Sequence, residues 1–293
     1  MSARLGAMLT VFVGLGSALI FGAADFLGGL AAKRMNPVLV TAISALVGLV
    51  LLGAAFPLFG GTWSTGAVLL GAASGVAGAI AIGLLYACLA IGPMSILSPV
   101  TAVVSAIVPV AFGLAKGERF ASVGYVALGL ALVAIVLVGF VPNPDAVRPS
   151  ARALLMALGS GVAIGVFLIF LDATPDDSGL IPLIANRATN ATIMFTVVLV
   201  IALVARNRSR SAFPGWRSGL PFAIACGVVD VIANAGQLVG VRLGELSVIA
   251  VLTALYPAGT IILAAVVLRE RIAVAQYIGL AIAVVAGGML ALA

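Results

Sequence analysis

The chain has 293 residues, 63% of them hydrophobic and 8% charged, with a mean hydropathy of +1.32 and a formal net charge of +6. A soluble domain is nearer a quarter charged, so no water-soluble fold hides this much apolar surface and the bilayer must cover it. The basic balance does not indicate nucleic acid, because Lys and Arg fall between apolar runs, as juxtamembrane charge does.

A membrane-spanning helix needs about 20 apolar residues. The first such stretch covers 6–31 behind Arg4, roughly twice the length of a signal-peptide core, and is predicted as a span. Further spans are predicted at 37–59, 65–91, 95–115, 120–140, 152–172, 179–205, 217–241, 247–268 and 272–292. The links between them are mostly a few residues long and join antiparallel neighbours. The exception is V-P-N-P-D-A-V-R-P-S-A at 141–151, whose three prolines exclude helix. It divides the chain into five-span units at 1–140 and 152–293. Within span three, Gly71 and Gly75 have the small-xxx-small spacing that lets helix backbones approach closely in lipid. Cys88 and Cys226 lie inside apolar runs and are read as small core residues.

The two units repeat one another. G-P-M-S-I-L-S-P-V-T-A from Gly92 matches G-E-L-S-V-I-A-V-L-T-A from Gly244 without a gap. The register carries Ser95 onto Ser247, Thr101 onto Thr253, Glu118-Arg119 onto Glu270-Arg271 and Tyr125 onto Tyr277. Matches among polar residues do not arise from an Ala/Gly/Leu/Val-biased alphabet, so they indicate an internal duplication. Weaker echoes link Gly16, Ser17 and Gly22 to Gly159, Ser160 and Gly165. Because five is odd, copies joined in series enter the membrane from opposite sides. The predicted fold class is therefore an all-α integral membrane protein, with ten transmembrane helices as two inverted five-helix repeats around a central cavity. Secondary transporters share that plan, with the substrate at the repeat interface near mid-membrane.

Ionisable residues inside spans are costly and are functional candidates. Three qualify: Asp25, Arg187 and Asp230. For Arg187 and Asp230, a mutual structural ion pair competes with a role in binding a substrate carboxylate, an amine or a coupling proton. Asp25, eight residues before Lys33, is expected to pair near the interface with Lys33 or Arg34. Polar uncharged residues form a second set. Ser98, Pro99, Thr101, Ser105 and Pro109 punctuate span four, and Thr253, Tyr256, Pro257 and Thr260 punctuate span nine. Ser98, Thr101 and Ser105 are three and four apart and share a face, as do Thr253, Pro257 and Thr260; both helices are expected as cavity walls in matching positions, with plain helix kinks as the alternative. Tyr86, Asn186, Asn234 and Gln237 are further candidates for the same wall. Glu118-Arg119 and Glu270-Arg271 are expected to lock tight helix corners, each carboxylate near the N-terminus of the following helix.

The chain has no histidine, which removes a Ser-His dyad, an H-E-x-x-H zinc site and His-ligated haem. It also lacks a Walker A motif. The expectation is no enzymatic activity, no metal and no cofactor. The partners expected are the lipid bilayer, a small-molecule substrate and, as one alternative, protons; nucleic acid is not among them.

S-I-L-S-P-V-T-A (Ser95 to Ala102), G-E-R-F (Gly117 to Phe120), S-V-I-A-V-L-T-A-L-Y-P (Ser247 to Pro257) and R-E-R-I (Arg269 to Ile272) resemble the drug/metabolite transporter superfamily. The resemblance is to its ten-span EamA-type exporters, and the overall pattern looks most like the aromatic amino-acid exporter branch. Arg187 falls where the family commonly has an arginine in the second helix of a repeat; the first repeat has Ala42 there. The resemblance implies a bacterial inner-membrane protein that exports amino acids or similar small metabolites by alternating access, with cytoplasmic termini. The charge count points the other way. Arg4, Lys116, Arg119 and Arg242 fall on the terminal side, and Lys33, Arg34, Arg148, Arg152, Arg206, Arg208, Arg210, Arg217, Arg269 and Arg271 on the other, which by the positive-inside rule puts the termini outside. Two other functions compete: a multidrug or cation exporter using Asp25 or Asp230, and a membrane scaffold that transports nothing.

Overall fold

The fold is taken from a computed structural model that describes residues 2–91, 94–139, 149–207, 213, 215–269 and 271–292. Every regular element among them is helical. The helices are α1 (Ser2–Ala32), α2 (Pro37–Phe59), α3 (Thr65–Ile91), α4 (Met94–Lys116), α5 (Ser122–Gly139), α6 (Ala151–Asp172), α7 (Ile181–Asn207), α8 (Leu220–Leu243), α9 (Leu246–Thr253), α10 (Tyr256–Val267) and α11 (Val274–Leu292). With α9 and α10 taken together, they make ten segments long and apolar enough to cross a membrane. The protein is an all-α, multi-pass membrane protein.

Local sequence explains where the helices start. Asn36 caps α2, its side chain accepting from the Val38 amide at 2.9 Å, and Pro37 supplies a first-turn residue that needs no donor. Ser150 caps α6 by accepting from the Ala153 amide at 3.2 Å. Of the predicted linker, 141–148 lies outside the described residues.

Span nine departs from expectation. It is broken into α9 and α10 at Ala254 and Leu255, because Pro257 has no N–H to offer the Thr253 carbonyl and the helical ladder stops there. Its counterpart α4 stays continuous through Pro99 and Pro109. The repeat register places Ser105, not a proline, opposite Pro257.

Packing follows the solvent. Phe12, Leu58, Trp63, Val266 and Val284 are exposed, as lipid-facing side chains should be. The interior is built from small residues, with Ala102, Ala106, Ala127, Ala131, Ala134, Ala283 and Ala286 buried together where α4, α5, α9 and α11 meet. Gly71 and Gly75 lie against α7: a Cβ on Gly75 would come within 2.6 Å of the Asn186 carbonyl oxygen, and one on Gly71 within 2.8 Å of Pro182 Cα.

The most extensive helix contacts between the two halves are preserved when every span is exchanged for the one five places on. Thus α1 on α8 becomes α6 on α3, α1 on α9 and α10 becomes α6 on α4, and α2 on α8 becomes α7 on α3. Matched residues do matched jobs. Gly22 meets Tyr256 and Thr260 of α10, and Gly165 meets Val108 and Pro109 of α4. Ser17 lies against Gly236 of α8, while Ser160 donates to the Ala81 carbonyl of α3 at 2.8 Å. Even the corner backbone repeats, with Gly117 at φ 110° and Arg269 at φ 57°.

Candidate functional site

Asp230 comes from α8 and Arg187 from α7, and the two meet inside the bundle. Arg187 Nη2 lies 2.7 Å from Asp230 Oδ2, with the arginine buried and the aspartate half-buried. Gly48 of α2 makes room for the guanidinium: a Cβ there would stand 3.3 Å from Arg187 Cδ. One turn on, Asn234 Nδ2 donates to the Asp230 carbonyl at 2.8 Å and to Oδ1 at 3.2 Å, fixing the carboxylate on its own helix. Arg187 Nε is buried with no hydrogen-bond partner among the described residues.

Asp25, from the other half, approaches this pair and does not pair with Lys33 or Arg34 as expected. Eight residues of helix separate it from Lys33, which is about 12 Å along the axis, beyond the reach of the two side chains. Arg34 instead places its guanidinium 4.3 Å over the Phe222 ring. Asp25 is exposed and near enough to Asp230 and to Tyr256 to interact electrostatically with both. No ion-pair partner of Asp25 occurs among the described residues. With all three groups ionised, the cluster carries one net negative charge, which a cation or a proton would offset.

The remaining candidates divide. Gln237 Nε2 donates to Thr253 Oγ1 at 3.3 Å, which ties α8 to α9, while Gln237 Oε1 is buried without a partner among the described residues. Tyr256 and Pro257 begin α10 at the helix break and are half-buried. In α4 the polar face is largely consumed by packing. Thr101 Oγ1 stands 3.0 Å from the Leu97 carbonyl and 3.1 Å from that of Ala157 in α6, so its one proton is shared between two helices. Ser105 donates to the Ala102 carbonyl at 2.8 Å, and Pro99 packs against Gly139. Thr101 and Ser105 are buried, and only Ser98 of that face is half-buried, so α4 is not the open wall expected of it. The hydroxyls satisfy themselves on backbone carbonyls, as they must in an apolar interior. Asn186 donates to Ser74 Oγ at 2.8 Å and binds α7 to α3. The Tyr86 side chain lies outside the described residues.

A cavity of about 250 Å³ opens elsewhere, between α2, α3 and α7, lined by Val38, Thr41, Ala79, Gly83, Met194 and their apolar neighbours. None of the residues expected to line a central cavity is on its wall.

The helix corners also differ from expectation. The Glu118 carboxylate does not rest on its own next helix, α5. It accepts from the Ser247 amide at 3.3 Å and from Ser247 Oγ, at the N-terminus of α9 in the other half. Arg119 closes the corner by donating to the carbonyls of Leu114 at 3.1 Å and Glu118 at 2.9 Å. Arg271 is exposed, and Glu270 lies outside the described residues. Sequence reasoning missed Ser247, matched to Ser95 but given no role, and Asn190, whose buried Oδ1 has no partner among the described residues. Asn190 sits one turn after Asn186, on the face of the arginine, and that spacing was the available signal.

Comparison with known proteins agrees with this architecture. Residues 151–292 match the EamA-like transporter family. A solved crystal structure superposes with a TM-score of 0.75 at 16% identity, over 96% of this chain and 95% of that one, and shares its fold. No curated protein matches the sequence.

Proposed function

We propose that this chain, whose residues 151–292 match the EamA-like transporter family, is a secondary transporter that exports amino acids or similar small metabolites by alternating access. The observation that carries the proposal is the Arg187–Asp230 ion pair of the second half, inside the spans, with Asp25 of the first half near enough to Asp230 to interact with it electrostatically. Charges are expensive at that depth, and a site assembled from both halves is remade whenever the halves move. The preserved neighbour pattern supports a duplicated, inverted unit as the source of that movement. Sparse charge favours neutral or zwitterionic substrates over multivalent anions. A bacterial inner-membrane location with cytoplasmic termini follows from the resemblance of the repeated motifs.

The test is uptake and counterflow of labelled amino acids in proteoliposomes, with and without a pH gradient. Saturable flux of a neutral amino acid is the expected result; no flux of any candidate would favour a scaffold. A second role rests on Asp25, a carboxylate without an ion pair among the described residues: it suits an organic cation or a coupling proton. In that role, Asp25→Asn abolishes acceleration by the gradient. Unchanged acceleration in that variant would rule the role out.

A further inference from the structure

Helix α4 ends in a turn that delivers one carboxylate across the molecule. The Glu118 amide donates to the Gly113 carbonyl at 3.0 Å and the Gly117 amide to that of Leu114 at 3.2 Å, with Gly117 in the left-handed region, which is the Schellman arrangement. The turn folds Glu118 back over Gly113, whose missing side chain leaves the space that the carboxylate fills. From there the carboxylate reaches Ser247 in the first turn of α9, satisfying an amide that has no partner within its own helix and lying at the positive end of the helix dipole. Glu245, the residue at the N-cap of α9, is exposed beside it.

We propose that Glu118, Ser247 and Glu245 form a proton-sensitive latch that joins the two halves of the chain on the face carrying both termini. Glu118 belongs to the first half and Ser247 and Glu245 to the second, so parting the halves on this face breaks the contact. The latch needs the transporter function to have a purpose, but its chemistry stands without it. Two carboxylates meet there, and one shared proton turns repulsion into a hydrogen bond. Partial desolvation at the helix corner first, then the charge of Glu118 and a hydrogen bond to it, then the charge of Asp172, raise the Glu245 carboxyl above its ordinary value. The neighbouring cations are committed elsewhere. Lys116 pairs with Asp172 at 3.6 Å and Arg119 binds backbone carbonyls. Arg242 donates to Ser178 Oγ at 2.9 Å and to the Gly179 carbonyl at 3.1 Å, with Asp176 and Asp177 close by. A carboxyl raised in the latched form means that this form binds more protons, so acid closes the latch and its hold is lost as pH rises.

Spin labels at Val123→Cys in α5 and Leu243→Cys in α8, both exposed near this face, report the separation of the halves once Cys88 and Cys226 are replaced by alanine. Pulsed dipolar spectroscopy in nanodiscs should show the short-distance population growing as pH falls from about 8 to about 4, from above the ordinary carboxyl range down into it. Glu245→Gln should keep the short distance at both pH values. Gly113→Ala, a helix-compatible change that fills the space under the Glu118 carboxylate, should lose it at both. A distance distribution that ignores pH, or a Gly113→Ala protein indistinguishable from the parent, would overturn the latch. Because the readout is a distance, a chain that transports nothing in liposomes can still pass or fail this test.

Discussion

Arg187 and Asp230 neutralise each other at 2.7 Å, and most of their energetic meaning lies in what happens when one is removed. Asp230→Asn strips a buried guanidinium of its directly bonded counter-charge, which costs about 3–5 kcal/mol, and thermal unfolding in detergent should register it as a clear fall in melting temperature. The double replacement Arg187→Met with Asp230→Leu removes both charges and should recover most of that loss. If the recovered protein also regains flux, the pair serves only the fold; recovery of stability without flux would place it in the transport site. That these positions matter is visible in the sequence, because an Asp or Arg inside an apolar run is conspicuous. Their partners are not visible. Asp25 was expected beside Lys33, the nearest cation along the chain, yet helix geometry holds the two about 12 Å apart and turns Asp25 toward Asp230.

Among the helices, small residues decide which surfaces touch. Gly75→Leu would drive a side chain into the Asn186 backbone and should cost about 1–3 kcal/mol, read as a lower melting temperature, by forcing α3 off α7. Gly83→Leu is the control on the same helix, since nothing lies within 4 Å of its missing Cβ, and it should be near neutral. The glycine spacing of span three was legible as a packing surface, although not which helix would occupy it. Proline was legible too, but less decisively: Pro257 breaks span nine, whereas Pro99 and Pro109 leave α4 whole. The hydroxyls of Thr101 and Ser105 share a face with Ser98, as their spacing requires. Once α6 packs on α4, that face is interior, and its donors are spent on carbonyls.

Across the whole molecule, several polar contacts tie the halves together on the terminal-side face. Besides the Glu118 contact, the Thr62 amide donates to the Asp177 carbonyl at 2.9 Å, and the Leu180 amide to that of Gly60 at 3.3 Å. Lys116 pairs there with Asp172, but the lysine side chain is 53% exposed, so Lys116→Ala should change stability by less than about 1 kcal/mol, as chemical denaturation in detergent would show. What the sequence determined by itself was the solvent and the number of spans, because span length and apolar composition are properties of the chain alone; the repeated register is likewise written in the chain. Only the tertiary structure decided that Asp25 lies within electrostatic reach of Asp230, that Glu118 serves a helix in the opposite half, and that an opening of about 250 Å³ lies between α2, α3 and α7. Those facts depend on which faces of remote helices come together, and in lipid that choice rests on many small steric fits between glycines, alanines and their neighbours, none of which leaves a periodic mark in one chain.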